Sequence, residues 1–348
     1  MGIDSIYIKN ITVFEDINIK FSEGINVIVG ENGTGKTTLL KMIYAACEWS
    51  NSITHKDKSK SIYNYFNYGK KNIDLLKRTN SNNGISYFNV TSGEDFIDYK
   101  VFTDQFANLD KWLDKEIKSI FIPTTEMLSH SKGFLALNQK YDMPFDATQI
   151  DIIVNSELPE TRQVSELNKK LLECISKVIN GTVVYENDTF YILKKNGMKV
   201  EFSFEAEGLR KFGLLWKLIR NGLIEKDTVL IWDEPEANIN PELIPVLVDI
   251  LIELKNNGVQ IFIATHSYNL AKYFEVKRTK INQVMYHSLY HKNELDENTE
   301  SNLDIINIFD VKGVQVQSNE YFGKLKKNPI IDADSLLLDK VIEGNFNE

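Results

Sequence analysis

Between residues 24 and 30 the chain reads Gly-Ile-Asn-Val-Ile-Val-Gly, a short apolar run ending in glycine. That pattern predicts a strand buried on both faces. Residues 3–9 and 17–21 alternate or run apolar and predict two more strands. Behind the run, Leu39, Leu40, Ile43 and Cys47 share one face of a helix expected from about Lys36 to Trp49. Residues 50–84 lose the periodicity and are rich in Asn, Ser, Lys and Tyr, so they are expected to form an insertion or mobile loop. Strand patterns return at 85–90, 96–102 and 118–123.

Residues 129 to about 180 look mostly helical, with Val164, Leu167, Leu171, Ile175 and Val178 at helical spacing. No heptad persists, which excludes a long coiled-coil arm. The segments GTVVYEN, TFYILKK and MKVEFSF predict strands, and Asn196-Gly197 between the last two is a hairpin signal. A helix is expected from Gly208 to Asn221, a strand at DTVLIWDE, a helix from about Pro241 to Asn256 and a strand at VQIFIATH. Alternation of strand and helix predicts an α/β core with parallel strands. No internal repeat is present. The expected organisation is a first lobe over 1–50, an insertion over 51–84, a continuation over 85–128, a helical insertion over 129–180, a second lobe over 181–290 and a capping segment over 291–348.

A chain of 348 residues with 43% apolar content can bury one large core carrying insertions, or two domains. No apolar run approaches the ~18 residues of a membrane span. The first residues lack the basic-then-apolar pattern of a secretory signal, and a cytoplasmic protein is expected. Cys47 and Cys174 fall in apolar helical patterns and read as core. The net charge of −9 argues against a general nucleic-acid coat. Residues 51–80 nevertheless carry a local charge of +5 with Tyr63, Tyr65, Phe66 and Tyr68 interleaved. Such a segment can touch a nucleic-acid backbone and stack bases, or it can be a solvated loop.

Three motifs carry chemistry. Gly30 to Thr37 matches G-x-x-x-x-G-K-[ST] between a strand and a helix, which is the context of a phosphate-binding loop. Asn32, Gly33, Thr34, Gly35, Lys36, Thr37 and Thr38 are therefore the candidate nucleotide cradle. Inward-turned amides and the helix N-terminus face the phosphates, Lys36 reaches the β- and γ-phosphates, and the Thr37 hydroxyl ligates Mg²⁺. Four apolar residues, Val229 to Trp232, then lead into Asp233 and Glu234. Asp233 is expected to hold Mg²⁺ through water and Glu234 to act as general base on the attacking water. His266 ends the next buried strand, where it can sense the γ-phosphate or simply be hydrogen-bonded at the sheet edge.

With these residues in order, the chain resembles the ABC-type ATPases: DEPEANINP matches that family's Walker B and D-loop, and ATHS its switch histidine. The opening IYIKNITVFEDINIKFSEGINVIVGENGTGKTTLL is similar to the RecF, SMC and overcoming-lysogenization-defect group. The resemblance covers residues 1–48 and 200–275. It implies a P-loop NTPase of the α/β class, an ABC-type head with a mixed sheet and an inserted, mainly helical subdomain. It implies hydrolysis of ATP with Mg²⁺ by a head-to-tail homodimer that sandwiches two nucleotides. The signature position falls in FEAEGLRKFG, residues 204–213, where Gly208 would contact the nucleotide in trans. Ala206 stands where the family has serine and Glu207 where it has glycine, and Arg210 or Lys211 could supply compensating charge. The family's Q-loop glutamine stays open among Gln105, Gln139 and Gln149, and FIPTTEMLS, 121–129, is expected as a sheet-edge loop of the head. Partners implied are an effector protein such as a nuclease, or nucleic acid, in anti-phage defence or DNA maintenance, with no membrane contact. The competing reading is the ATP-binding subunit of an ABC membrane transporter, and a third is a scaffold that binds ATP and rarely turns over.

Overall fold

A computed structural model describes residues 2–51, 62–66, 76, 78, 85–101, 103, 105–141, 143, 145–279, 283–291 and 313–345. In chain order the strands are β1 (Ser5–Ile11), β2 (Phe14–Lys20), β3 (Ile25–Gly30), β4 (Tyr87–Ser92), β5 (Asp95–Lys100), β6 (Gln105–Ala107), β7 (Ser119–Ile122), β8 (Gly181–Glu186), β9 (Thr189–Lys194), β10 (Lys199–Glu201), β11 (Val229–Asp233), β12 (Gln260–Thr265), β13 (Val284–His291) and β14 (Val314–Asn319). The helices are α1 (Lys36–Trp49), α2 (Leu109–Leu113), α3 (Phe134–Tyr141), α4 (Ala147–Glu157), α5 (Glu166–Val178), α6 (Glu207–Arg220), α7 (Ile244–Asn256), α8 (Tyr268–Lys277) and α9 (Pro329–Asn345).

Eleven strands form one mixed sheet in the order β6-β5-β4-β1-β2-β14-β13-β3-β12-β11-β7. The half from β13 to β7 is parallel. The half from β2 to β6 is an antiparallel meander. Alternation along the parallel strands explains why they read as unbroken apolar runs. Ile25, Val27, Val29, Leu230, Trp232, Ile261 and Ile263 enter a core shared with α5 to α8. Ile28, Val229, Ile231, Phe262 and Ala264 enter the opposite core, where α1 lies. Each fully buried aliphatic side chain stabilises the fold by about 1.5–3 kcal/mol.

The 129–180 stretch is helical, and its Leu171, Leu172 and Ile175 join the first of these cores. Both of its longer helices are capped by short polar side chains: Asp146 and Gln149 form a capping box on α4, and Ser165 accepts from the Asn168 amide on α5. β8, β9 and β10 form a small antiparallel sheet. Its first turn uses Asn187 and Asp188, both at positive φ, and its second passes through Gly197 at φ 83°.

Two regions differ from the sequence expectation. The segment expected as a cap supplies β14, whose Val314 pairs with Phe14 and whose other edge pairs with β13. It therefore joins the two halves of the sheet. Its two valines alternating with glutamine are too short a pattern to separate a strand from a loop. Most of the 51–84 segment lies outside the described residues, including every lysine of its basic run, but Ile62, Tyr65 and Leu76 are fully buried against the α1 core. Tyr65 meets Tyr44 edge-on at 5.6 Å between ring centroids. These anchors are spaced irregularly, so no periodicity announced them.

Candidate active site

β3, β11 and β12 run parallel, so their C-terminal ends open on the same edge of the sheet. The loop after β3 starts α1 there. Gly33 takes φ 79° and Gly35 φ 88°, and a Cβ on Gly35 would sit 2.6 Å from the Phe14 ring. Only glycine meets both demands. Gly35 is also the N-cap of α1, with no side-chain cap and no acid in the first turn. Among the described residues the first amides of α1 therefore have no side-chain acceptor and suit an anion.

Lys36 is only 7% exposed, and its ammonium donates to the carbonyls of Gly30 and Glu31, each at 2.9 Å. Burial lowers its pKa to about 8, while Glu234, Asp233, Glu31 and Glu236 pull the other way. The Thr37 hydroxyl donates to Asp233 Oδ2 at 2.8 Å. Burial raises the Asp233 pKa, and hydrogen bonds from Thr37 and Thr124 oppose that shift. The loop motif and the acidic strand end, 196 residues apart, thus meet in one hydrogen bond.

Glu234 follows at φ 48°, a left-handed conformation that costs a non-glycine residue roughly 1–2 kcal/mol. Its amide donates to Ala264 O at 2.9 Å, and its carbonyl accepts from Lys211 Nζ at 3.0 Å. Its carboxylate lies 3.4 Å from His266 Nε2. Burial lowers the His266 pKa, Lys36 adds to that, and Glu234 and Asp233 oppose it. Strain of this kind gathers where a side chain must point one way.

All three motif groups lie together at this edge. Asn32 and Gly33 are exposed at the loop tip, Thr34 is buried with its hydroxyl on Glu31 O at 2.8 Å, and Thr38 is half-buried. Gly208 is buried in α6, where a Cβ would meet Asn238 O at 2.8 Å. It packs against its own chain's 238–239 turn, and the exposed residue at that helix start is Ala206. Neither neighbouring cation is free: Arg210 pairs with Glu126 at 3.2 Å and Lys211 is spent on Glu234. None of the three glutamines enters the site. Gln105 lies on edge strand β6, Gln139 in α3, and Gln149 closes the α4 capping box. The loop beside the Asp233 strand is 123–126, and Thr124 is the residue that reaches the carboxylate.

Two residues of this edge carried no assigned role in the sequence, Thr124 and Glu236, while Lys211, read there as compensating charge, is held by the Glu234 carbonyl. Glu236 accepts from Thr265 Oγ1 at 2.5 Å and from the His266 amide at 3.3 Å. A second acid directly after Pro235 was its only signal.

A family model described as an AAA ATPase domain matches residues 1–196. A second, described as an AAA domain, putative AbiEii toxin, type IV TA system, matches residues 146–272. The chain is 23% identical over 223 residues to the DNA replication and repair protein RecF of Streptococcus uberis, covering 64% of this chain and 59% of that protein. It is 27% identical over 234 residues to the DNA repair protein RecN of Aquifex aeolicus, covering 56% and 44%. The chain thus spans about three fifths or less of the length of these curated relatives. In fold it is similar to an Smc head domain with an extended coiled coil from Pyrococcus furiosus, solved with the C-terminal domain of ScpA: TM-score 0.52, 11% identity, 98% of this chain and 99% of that one.

Proposed function

The chain belongs to the AAA ATPase domain family and carries an ABC-type, RecF/SMC-like head, and we propose that it hydrolyses Mg²⁺-ATP at the edge formed by β3, β11 and β12. The observation that carries this reading is the Thr37–Asp233 hydrogen bond, with Glu234 and His266 paired beside it. The cradle amides of Asn32 to Thr38 and Lys36 hold the phosphates. Lys36 exchanges its two loop carbonyls for phosphate oxygens, a small displacement for a flexible side chain. Thr37 and Asp233 offer a hydroxyl and a buried carboxylate, oxygen donors of the hard kind that Mg²⁺ prefers. Mg²⁺ bound by them would supply positive charge against the phosphates. Glu234 takes the proton of the attacking water, and His266 keeps that carboxylate oriented from 3.4 Å.

In this reading two copies pair head to tail, and the α6 start, with Ala206 exposed, faces the other copy's phosphates. Pairing controls a nucleic acid or an effector protein. The RecF and RecN relatives favour DNA as the controlled ligand, and the AbiEii description favours a defence role. No helix among the described residues is long and apolar enough to cross a membrane. The test is hydrolysis by the purified chain with Mg²⁺, with EDTA and with duplex DNA, beside Glu234→Gln. Hydrolysis should require Mg²⁺, and Glu234→Gln should lower it by ~10²–10⁴-fold while trapping an ATP-bound pair in sedimentation. Wild-type turnover by Glu234→Gln removes the base assignment, and a rate indifferent to DNA removes DNA as the controlled ligand.

A further inference from the structure

Lys211 is the unusual residue of this edge. It lies in the first turns of α6, only 2% exposed, and a lysine is seldom buried so fully without a specific partner. Its ammonium donates to the Glu234 carbonyl, which also accepts from the Ala237 amide at 3.1 Å. Burial lowers its pKa, and four carboxylates oppose that, Glu236 first, then Glu207, Glu234 and Asp233. Glu236 is half-buried. One oxygen holds Thr265 and the His266 amide, and the other has no hydrogen-bond partner among the described residues.

These contacts form a chain of three links. Lys211 fixes the carbonyl of the left-handed residue Glu234, whose amide is fixed by β12. Glu236 fixes the backbone that carries His266. The opposite charges of Lys211 and Glu236 attract across the Walker B turn. The same helix turn contains Gly208, packed on Asn238, and Arg210, paired with Glu126 beside Thr124. A shift of the α6 start can therefore reach the Glu234 backbone through this buried side chain.

We infer that Lys211 and Glu236 are positioning residues for ATP hydrolysis: together they tie the alignment of Glu234 and His266 to the first turn of α6. The inference rests on the reading of Glu234 as the base. Neither residue touches the phosphates. Their loss should slow turnover without weakening nucleotide binding, because Lys36 and the loop amides are untouched.

The experiment compares full-length wild type, Lys211→Met, Glu236→Gln, the double variant and Glu234→Gln. It reads kcat, ATP affinity by direct titration of a fluorescent ATP analogue, and Tm. Lys211→Met should lower kcat ~10–100-fold, as a misplaced catalytic group does, with affinity within ~3-fold of wild type. Glu236→Gln keeps an acceptor oxygen for Thr265 and His266 and removes only the charge. It should lower kcat in the same direction, and the double variant should lose no more than Lys211→Met alone, because groups acting as one unit are not additive. Should Lys211→Met fail to fold, Glu236→Gln decides by itself. A kcat within ~2-fold of wild type in the folded variants, or a loss of affinity matching the loss of rate, overturns the inference. Glu234→Gln at wild-type turnover would overturn the base reading instead, so the two failures are told apart.

Discussion

The two ends of the parallel sheet handle buried polar groups in opposite ways. At the N-terminal ends of β3 and β12 the groups are neutral and paired. Gln260 holds both the amide and the carbonyl of Ile3, at 2.7 and 2.8 Å, and also Ser22 O at 2.9 Å. Asn26 holds the amide and carbonyl of Ser22, at 2.8 and 2.9 Å. His287, fully buried in β13, sits between Asn26 and Ser318 at 3.2 and 2.8 Å. At the C-terminal ends the groups are charged, crowded and strained: Lys36, Lys211 and Asp233 are buried, Glu236 is half-buried, and Glu234 takes a left-handed backbone. A satisfied neutral network specifies the fold, whereas a buried carboxylate or ammonium is kept at a cost in stability. That cost is spent where a phosphate and its counter-ion would complete the set of charges.

Lys36→Ala should break the charged end most severely. Loss of the phosphate-facing cation is expected to lower hydrolysis ~10²–10³-fold or more, with titrated ATP affinity falling in parallel and Tm little changed. Retained tight binding would contradict the cradle. At the neutral end, His287→Leu should do the reverse. It leaves Ser318 without its partner and should cost about 1–3 kcal/mol in urea unfolding, with kcat per folded chain unaltered; a slowed enzyme of normal stability would dissolve the contrast between the ends.

pH sharpens the comparison next. Burial pushes the His287 pKa down to about 3, below the ~6.5 of an unfolded histidine. The unfolded chain then binds the extra proton between these values, so this contribution to stability is full above pH ~6.5 and is lost as pH falls toward 3. From pH ~7.5 to ~5.5 the loss is about 1.4 kcal/mol. Subtracting the His287→Leu curve from the wild-type curve isolates it, and a flat difference would refute the neutral assignment. The smallest effect on stability belongs to Asp233→Asn. It keeps an acceptor for Thr37 and removes a buried carboxylate, so Tm should rise by about 1–3 °C while hydrolysis collapses. A marked fall in Tm would mean that this charge stabilises the fold.

Much of the site was legible because its residues are local. Gly30 to Thr37 needs consecutive positions to turn amides inward, and Asp233-Glu234 needs only a strand that stops at the sheet edge. Unbroken apolar runs likewise announced β3, β11 and β12, buried on both faces, and period-3.6 patterning announced α1 and α6. The edge elements were less legible. β6 has three residues, β14 shows two valines, and Ile62, Tyr65 and Leu76 reach the α1 core from a segment without period.

By itself the amino-acid sequence determined the candidate chemistry: a phosphate-loop motif, an acidic strand end and a histidine on an α/β chain, since each depends on neighbours along the backbone. Only the tertiary structure decided how these pieces touch. The Thr37–Asp233 bond spans 196 residues, β14 reaches the middle of the sheet from the far end of the chain, and Lys211 proves to be an interior strut. Their placement follows from strand order and helix packing, which bring distant residues to one edge and give a lysine a carbonyl to hold in place of water.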